Sequence, residues 1–379
     1  MGFLSIFTRL IVIIGFGFYI YGMVNLIIRN ARPKSKTAHL RIKENPANLI
    51  LLLLCLIFLA AESQLKLTYE YNGTLEMNIN IVVVCLMVGL GIAFGIAQIV
   101  GKKKPIEDND IIQHVLSSKP AEDMYKYTIV LDRERKSNHL IAFIIALGSV
   151  SIGGVSVWIL KHVLTEEYAQ YDFILAKYTF FWEPPEGSFL QNIFNTEVFS
   201  LSRSILTVTF TGVTLLLLTI EYARLSSKIH FPFQQIVQRQ LRWEEKNAVG
   251  SYIYLITGLA VASFLLPSLM FLGVTCVVSL GDSAASLVGM KYGKRKYRHN
   301  DKTIEGTIVA SILTFVSVFL FSGVWFGIAA AVVFVIIDLI CPNPLKMNDN
   351  LLLPLVLTGV YLVLFVLGVP YPCIIEYFV

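Results

Sequence analysis

Apolar runs close to the length of a membrane-crossing helix recur along the chain, and nothing else in it constrains the fold as strongly. A helix needs about 20 residues to cross a hydrocarbon layer about 30 Å thick, and its backbone polar groups must be satisfied within the segment. Repeated runs of that kind predict an all-α, polytopic integral membrane protein. About ten spans are expected, near 3–28, 47–65, 79–100, 139–164, 199–223, 248–268, 271–290, 305–322, 325–341 and 351–369. The second is short, and Pro267-Ser268 marks either a turn or a kink between the sixth and seventh. With 55% hydrophobic and 15% charged residues, a soluble globular domain is excluded. The first run is too long for the apolar centre of a signal peptide and no small-residue cleavage pattern follows it, so a retained span is expected.

Loop charge sets the expected orientation. Residues 29–46 carry six Lys/Arg, 101–137 eight, 224–247 five, 291–304 six and 342–350 one. These 26 of the 31 cations fall on loops of one parity. The positive-inside bias therefore puts those loops in the cytosol and both termini on the lumenal side. The sequon Asn72-Gly73-Thr74 lies on an outside loop, where glycosylation would require it and as an endomembrane location would have it. The other outside segment, 165–198, is acidic and aromatic, which interfacial anchoring explains. A net charge of +5 could suggest nucleic acid, but the cations are dealt out between spans and no nucleic-acid partner is expected. Cys55, Cys85, Cys276, Cys341 and Cys373 sit in or beside apolar runs without CxxC or Cys/His spacing, so neither a disulfide framework nor a zinc site is predicted.

One stretch departs from this pattern. Gly281–Gly306 reads GDSAASLVGMKYGKRKYRHNDKTIEG. Asp282 stands alone among small and apolar residues, and a carboxylate at membrane depth is costly enough to suggest function. Gly281 and Ser283 allow close backbone approach around it. Gly289 and Gly293 lead into Lys291, Lys294, Arg295, Lys296, Arg298 and Lys302, cations suited to phosphate oxygens. Thr303 can cap the following helix, with Glu305 and Gly306 in its first turn, and helix N-termini bind phosphate. The parts suit a metal and a nucleoside triphosphate, although no Walker A or kinase glycine-loop sequence is present. The bland alternative is a packing Asp followed by topogenic charge.

Three further clusters fall at cytosolic ends of spans: Arg135-Lys136-Ser137-Asn138-His139, Glu221-Tyr222-Ala223-Arg224, and Asp338 followed by Asp349-Asn350. Flanking charge accounts for the first as well as a site does. Glu221 and Arg224 can satisfy one another as an i,i+3 pair. Asp338, inside an apolar run, requires a partner or a function, and Asp349 suits a helix start. Convergence of all four on one membrane face points to a single interfacial site.

These segments together resemble the CTP-dependent polyprenol kinases, the family of dolichol kinase, phytol kinase and the CTP-using diacylglycerol kinase, with dolichol kinase the best fit. The resemblance lies in GDSAASLVGMKYGKRKYRHNDKTIEGT, in RKSNH at 135–139 (R-K-x-x-H), in EYARL at 221–225 and in DNLLLPL at 349–355, and it covers roughly residues 130–360. Asp338 departs from it, since relatives more often carry Glu there. The resemblance implies transfer of the CTP γ-phosphate to the terminal hydroxyl of dolichol, giving dolichyl phosphate for protein glycosylation at the cytosolic face of the endoplasmic reticulum membrane. Asp282, Asp349 and Asp338 would hold Mg²⁺ or another divalent cation. Lys302 and the 294–296 cations would neutralise the triphosphate, Arg135, Lys136 and His139 would close the site, and Asp282 or His139 would be the base. Glu221, Arg224 and Asn350 complete the expected CTP-binding walls. The expected organisation is an N-terminal membrane region at 1–100 without assigned role, a cytosolic linker at 101–137 and a catalytic membrane region at 138–379. The rivals are another CTP-using lipid enzyme, including a CDP-lipid cytidylyltransferase, and a membrane transporter.

Overall fold

The computed structural model describes residues 3–31, 44–69, 141, 143–149, 201–225, 248–300 and 302–369. The helices are α1 (Phe3–Ala31), α2 (Pro46–Tyr69), α3 (Leu201–Leu225), α4 (Ser251–Leu265), α5 (Ser268–Cys276), α6 (Asp282–Tyr292), α7 (Ile304–Ser322), α8 (Val324–Ile340) and α9 (Asp349–Val366). Among the described residues the only β pairing is an isolated bridge, Lys296 to Thr303. Six stretches among the described residues are long and apolar enough to cross a membrane, one of them the combined α5–α6 run Leu269–Tyr292; α4 and α8 are apolar but only 15 and 17 residues long. The expected spans at 79–100 and most of 139–164 lie outside the described residues, as do the 101–137 linker, the 165–198 loop and the sequon.

Helix boundaries follow local chemistry. Pro267 ends the α4 run: Leu266 is extended (φ −108°, ψ 147°) and Pro267 takes the N-cap place of α5. A proline ring lacks the N–H a continuous helix would use and pushes the preceding residue out of the helical region. α5 then runs through a π-helical turn, Val277–Gly281, directly into α6, so Asp282 is the first residue beyond the turn. Such turns re-aim the side chains that follow them and recur at functional sites. α7 and α8 are joined by a single residue, Gly323, at φ 84°, a conformation that suits glycine.

Apolar helices in lipid gain little from the hydrophobic effect on meeting one another, so close packing decides the arrangement. α7 packs against α6 and α8, α4 against α3 and α9, and α1 against α2. A Cβ on Gly306 would overlap the Ala285 carbonyl oxygen, so α6 and α7 approach at a distance only glycine permits. Phe210 meets Phe271 edge-on at 5.0 Å, and Phe326 meets Tyr361 at 5.1 Å. The Tyr222 hydroxyl donates to the Tyr19 carbonyl at 2.8 Å, tying α3 to α1. Ile312, Trp325, Val332 and Ile336 remain exposed on α7 and α8, as a lipid-facing surface requires. Cys55, Cys276 and Cys341 are buried free thiols, in line with their expected role as small apolar fillers.

One end of the bundle is polar. Arg29 Nη1 donates to the Leu225 carbonyl at 3.0 Å, Asn30 Nδ2 to the Glu44 carbonyl at 2.8 Å, and Arg224 Nη2 to the Ala248 carbonyl at 2.5 Å. Asn48 bonds to Asn348, and Lys302 to Asp349. These bonds join described residues at the edges of the loops 29–46, 224–247, 291–304 and 342–350, so the helix ends that flank four of the five basic loops meet there.

Gly306→Ala should destabilise the detergent-solubilised protein by about 1–3 kcal/mol, the usual effect of overpacking. Gly359→Ala, at a position with open space, should not lower the thermal midpoint.

Candidate functional site

A cleft of about 290 Å³, its open mouth included, lies at this polar end and is lined by Val278, Asp282, Lys302, Phe334, Ile337, Asp338, Asp349, Asn350 and Leu353. Four separate segments build it. The π turn delivers Asp282, the 293–303 loop delivers Lys302, α8 delivers Asp338, and the start of α9 delivers Asp349 and Asn350.

Lys302 is the centre of the arrangement. Its Nζ lies 2.8 Å from Asp338 Oδ1 and 2.8 Å from Asp349 Oδ2. Burial would push the ammonium pKa down, but the charges of Asp349 and Asp338 and the bonds to them outweigh it and hold the group above the ordinary lysine range. Lys302 is therefore charged at every physiological pH. The second oxygen of Asp338, which is 5% exposed, accepts from the Thr307 hydroxyl. Asn300 fixes the loop from behind: its Nδ2 donates to the carbonyls of Asp338 and Leu339 at 3.2 and 3.1 Å, and its Oδ1 accepts from Lys302 N–H at 3.1 Å. Asp282, Asp338 and Asp349 share the cleft wall. Among the described residues, however, no three acidic, histidine or cysteine side chains gather closely enough to hold a metal by themselves.

The basic loop is folded back on α7. Glu305 Oε2 accepts from the N–H groups of Lys294 and Arg295 at 3.2 Å each, and its Oε1 from Arg295 Nε at 3.1 Å. Thr303 caps α7 as expected, its hydroxyl accepting from Gly306 N–H at 3.3 Å. Gly289 and Gly293 pack beneath the Thr303 side chain, and Gly281 beneath Thr314 and Phe334. Lys294, Arg295 and Lys296 are exposed, whereas Ser283 is buried.

Glu221 and Arg224 form the i,i+3 pair that their spacing suggests. Arg224 Nε and Nη2 reach Glu221 Oε2 and Oε1 at 2.8 and 2.5 Å, with side chains 3% and 0% exposed. Glu221 also accepts from Gly250 N–H at 2.6 Å and the Tyr252 hydroxyl at 2.5 Å, so this pair secures the start of α4. It does not line the cleft. Arg135, Lys136 and His139 lie outside the described residues. Sequence reasoning missed Thr307, Asn300 and Asn348. Asn348, not Asp349, is the N-cap of α9, its side chain accepting from Asn350 N–H at 3.0 Å. Helix-start chemistry signalled Asn348, and the quoted motif contained Asn300 and Thr307, but no pattern gave their partners.

Comparison with known proteins finds similarity to two dolichol kinases. The Saccharomyces cerevisiae protein is 27% identical over 124 residues, 31% of this chain and 23% of that protein. The Schizosaccharomyces pombe protein is 29% identical over 182 residues, 42% of this chain and 35% of that protein. An uncharacterised protein of Methanocaldococcus jannaschii is 26% identical over 134 residues, 35% of this chain and 68% of its own length. The matches thus span 23% and 35% of the two dolichol kinases, well under two thirds of either. No family model and no solved structure matches the chain. The chain is thus distantly similar, over part of its length, to proteins named dolichol kinases.

Removing one partner of a buried ion pair leaves the other uncompensated, which costs about 3–5 kcal/mol. Glu221→Ala should therefore lose most of its folded protein, while Tyr252→Phe, which deletes one bond to the same carboxylate, should cost about 1.5–3 kcal/mol in thermal unfolding.

Proposed function

We propose that this protein is a CTP-dependent dolichol kinase of the endoplasmic reticulum membrane with its site facing the cytosol. One observation carries the proposal: Lys302 is fixed between Asp338 and Asp349 in a cleft that Asp282 also lines. The segments supplying Asp282, Lys302 and Asp349 are among those that resemble polyprenol kinases, and the similarity to two dolichol kinases supports the same assignment.

Phosphoryl transfer requires chiefly positioning and charge neutralisation. The prenol hydroxyl attacks the γ-phosphorus, the bond to the bridging β–γ oxygen breaks, CDP leaves, and the hydroxyl proton passes to an acceptor, for which Asp282 and His139 are the candidates. The exposed cations Lys294, Arg295 and Lys296 hold phosphate oxygens at the mouth of the cleft. Lys302 presents its ammonium inside it, already oriented by two carboxylates. Asp338 and Asp349 are each bonded at both oxygens, but the Asp338 side chain is 6% exposed and acts through Lys302, whereas that of Asp349 is 32% exposed and remains open to a metal. Asp282 and Asp349, with the Asn350 amide, form a hard-oxygen set that fits Mg²⁺, which characteristically takes one or two carboxylates together with substrate phosphates. When bound, Mg²⁺ would supply neutralisation of the β- and γ-phosphates. The outward apolar faces of α7 and α8 leave the polyprenol tail in lipid, so only its hydroxyl needs to reach the polar end.

Asp282→Asn should reduce CTP-dependent phosphorylation of dolichol in isolated membranes by roughly 10²-fold or more without loss of protein. Near-normal turnover would remove Asp282 from the site. Lys302→Ala should raise the KM for CTP more than that for dolichol; the reverse would count against its placement on phosphate. With CTP labelled at the γ-phosphate, label on dolichol identifies the kinase, label on another lipid identifies a different substrate, and label in pyrophosphate identifies cytidylyl transfer.

A further inference from the structure

The N-terminal hairpin α1–α2 carries no motif that sequence reasoning can assign, yet it touches the loop that leads into Asp349. The contact is made by Asn48, in the first turn of α2 and 4% exposed. Its Oδ1 accepts the backbone N–H of Asn348 at 3.0 Å, across 300 residues of chain. Its Nδ2 donates to Glu44 Oε1 at 2.9 Å. An amide side chain offers an acceptor and a donor in one fixed plane, and both are used here. Glu44 is itself anchored, since its backbone N–H and carbonyl both bond to the Asn30 side chain, at 3.2 and 2.8 Å.

On the other side, Asn348 caps α9 and directly precedes Asp349, whose Oδ2 receives Lys302. The loop before it contains a non-glycine residue at positive φ, Lys346 at 55°. That conformation is sparsely populated by L residues and persists where neighbours hold it. Asn45 Nδ2 supplies such a hold, donating to the Lys346 carbonyl. Two contacts at the start of α2, from Asn45 just before the helix and Asn48 in its first turn, thus grip the loop that ends in Asp349.

We infer that Asn48 is a positioning residue for Asp349, and that the α1–α2 hairpin is a wall of the site that sets its affinity for the metal-bound nucleotide. This rests on the assignment of Asp349 to nucleotide binding made above. An Asn348 N–H without its acceptor lets the first turn of α9 fray, and Asp349 and Lys302 then share a looser geometry. A role in general packing would predict a different outcome, because Leu52, one helical turn below Asn48 and fully buried, contributes to packing alone.

The experiment compares the full-length protein with Asn48→Ala, Asn48→Asp and Leu52→Ala, each in membranes for kinetics and in detergent for backbone hydrogen exchange. Asn48→Ala should raise the KM for Mg²⁺-CTP by roughly five- to tenfold, the size of one lost buried hydrogen bond, and leave the dolichol KM unchanged. Asn48→Asp, made together with Glu44→Gln so that a donor remains between the two side chains, keeps the acceptor for Asn348 and should retain slow exchange over 346–351, where Asn48→Ala exchanges faster. Leu52→Ala should lower thermal stability without moving the KM for CTP or exchange at 346–351. Unchanged exchange in Asn48→Ala would overturn the contact, and faster exchange with an unchanged CTP KM would overturn the positioning role. If the unmutated protein transfers no phosphate from CTP, the kinase assignment fails instead, and the exchange comparison still decides whether α2 holds the Asp349 loop.

Discussion

The bridge from Lys302 to Asp338 and Asp349 is the contact on which the polar end of this protein depends. It joins the 293–303 loop to α8 and α9 in one step, and each partner is fixed by a further bond. Thr307 holds Asp338, Asn300 holds the backbone of the Lys302 loop, and Asn348 starts the helix that carries Asp349. Carboxylates next to an apolar bundle are tolerable because an ammonium lies between them, and the ammonium stays charged because they do. The same mutual dependence gives a phosphate-binding cation a fixed direction before any substrate arrives, which is what phosphoryl transfer needs most.

Lipid imposes the rest. Within the bundle the Tyr222 hydroxyl is paired on the spot with the Tyr19 carbonyl, and many of the charged groups gather at helix ends. The helix ends linked to α1, α2, α3, α4, α7 and α9 form one hydrogen-bonded layer in which structural and functional groups adjoin. Glu221 and Arg224 belong to the structural part, closing the start of α4 with four donors on one carboxylate. Glu305 gathers the backbone of the basic loop, and Lys294 and Lys296 are left exposed. Residues that resemble a binding motif in sequence therefore divide into those that line the cleft and those that hold its walls.

Apolar run length located the helices, because a lipid-spanning segment must satisfy its own backbone whatever its neighbours do. Pro267 and Thr303 marked boundaries for equally local reasons, a missing N–H and a side-chain cap. The i,i+3 spacing of Glu221 and Arg224 declared their pairing, Asp282 stood out by chemical isolation, and Lys302 was one of six cations suited to phosphate. The parity of the basic loops foretold that their helix ends would share one side, and the described helix ends that flank four of them do meet.

What the chain could not declare were partners distant in sequence. Asp338 was visible as an anomalous acid, but that Thr307 and Lys302 saturate it depends on how α7 packs against α8. Asn48 gave no signal, because an asparagine in the first turn of a helix is ordinary, and its acceptor finds Asn348 only when α2 lies beside the α8–α9 loop. Sequence by itself determined the helices, their polar ends and the charges available for chemistry, since these follow from transfer of short segments into lipid. Tertiary structure alone decided which charges face the cleft and which are spent on one another, since that depends on distances set by packing across hundreds of residues.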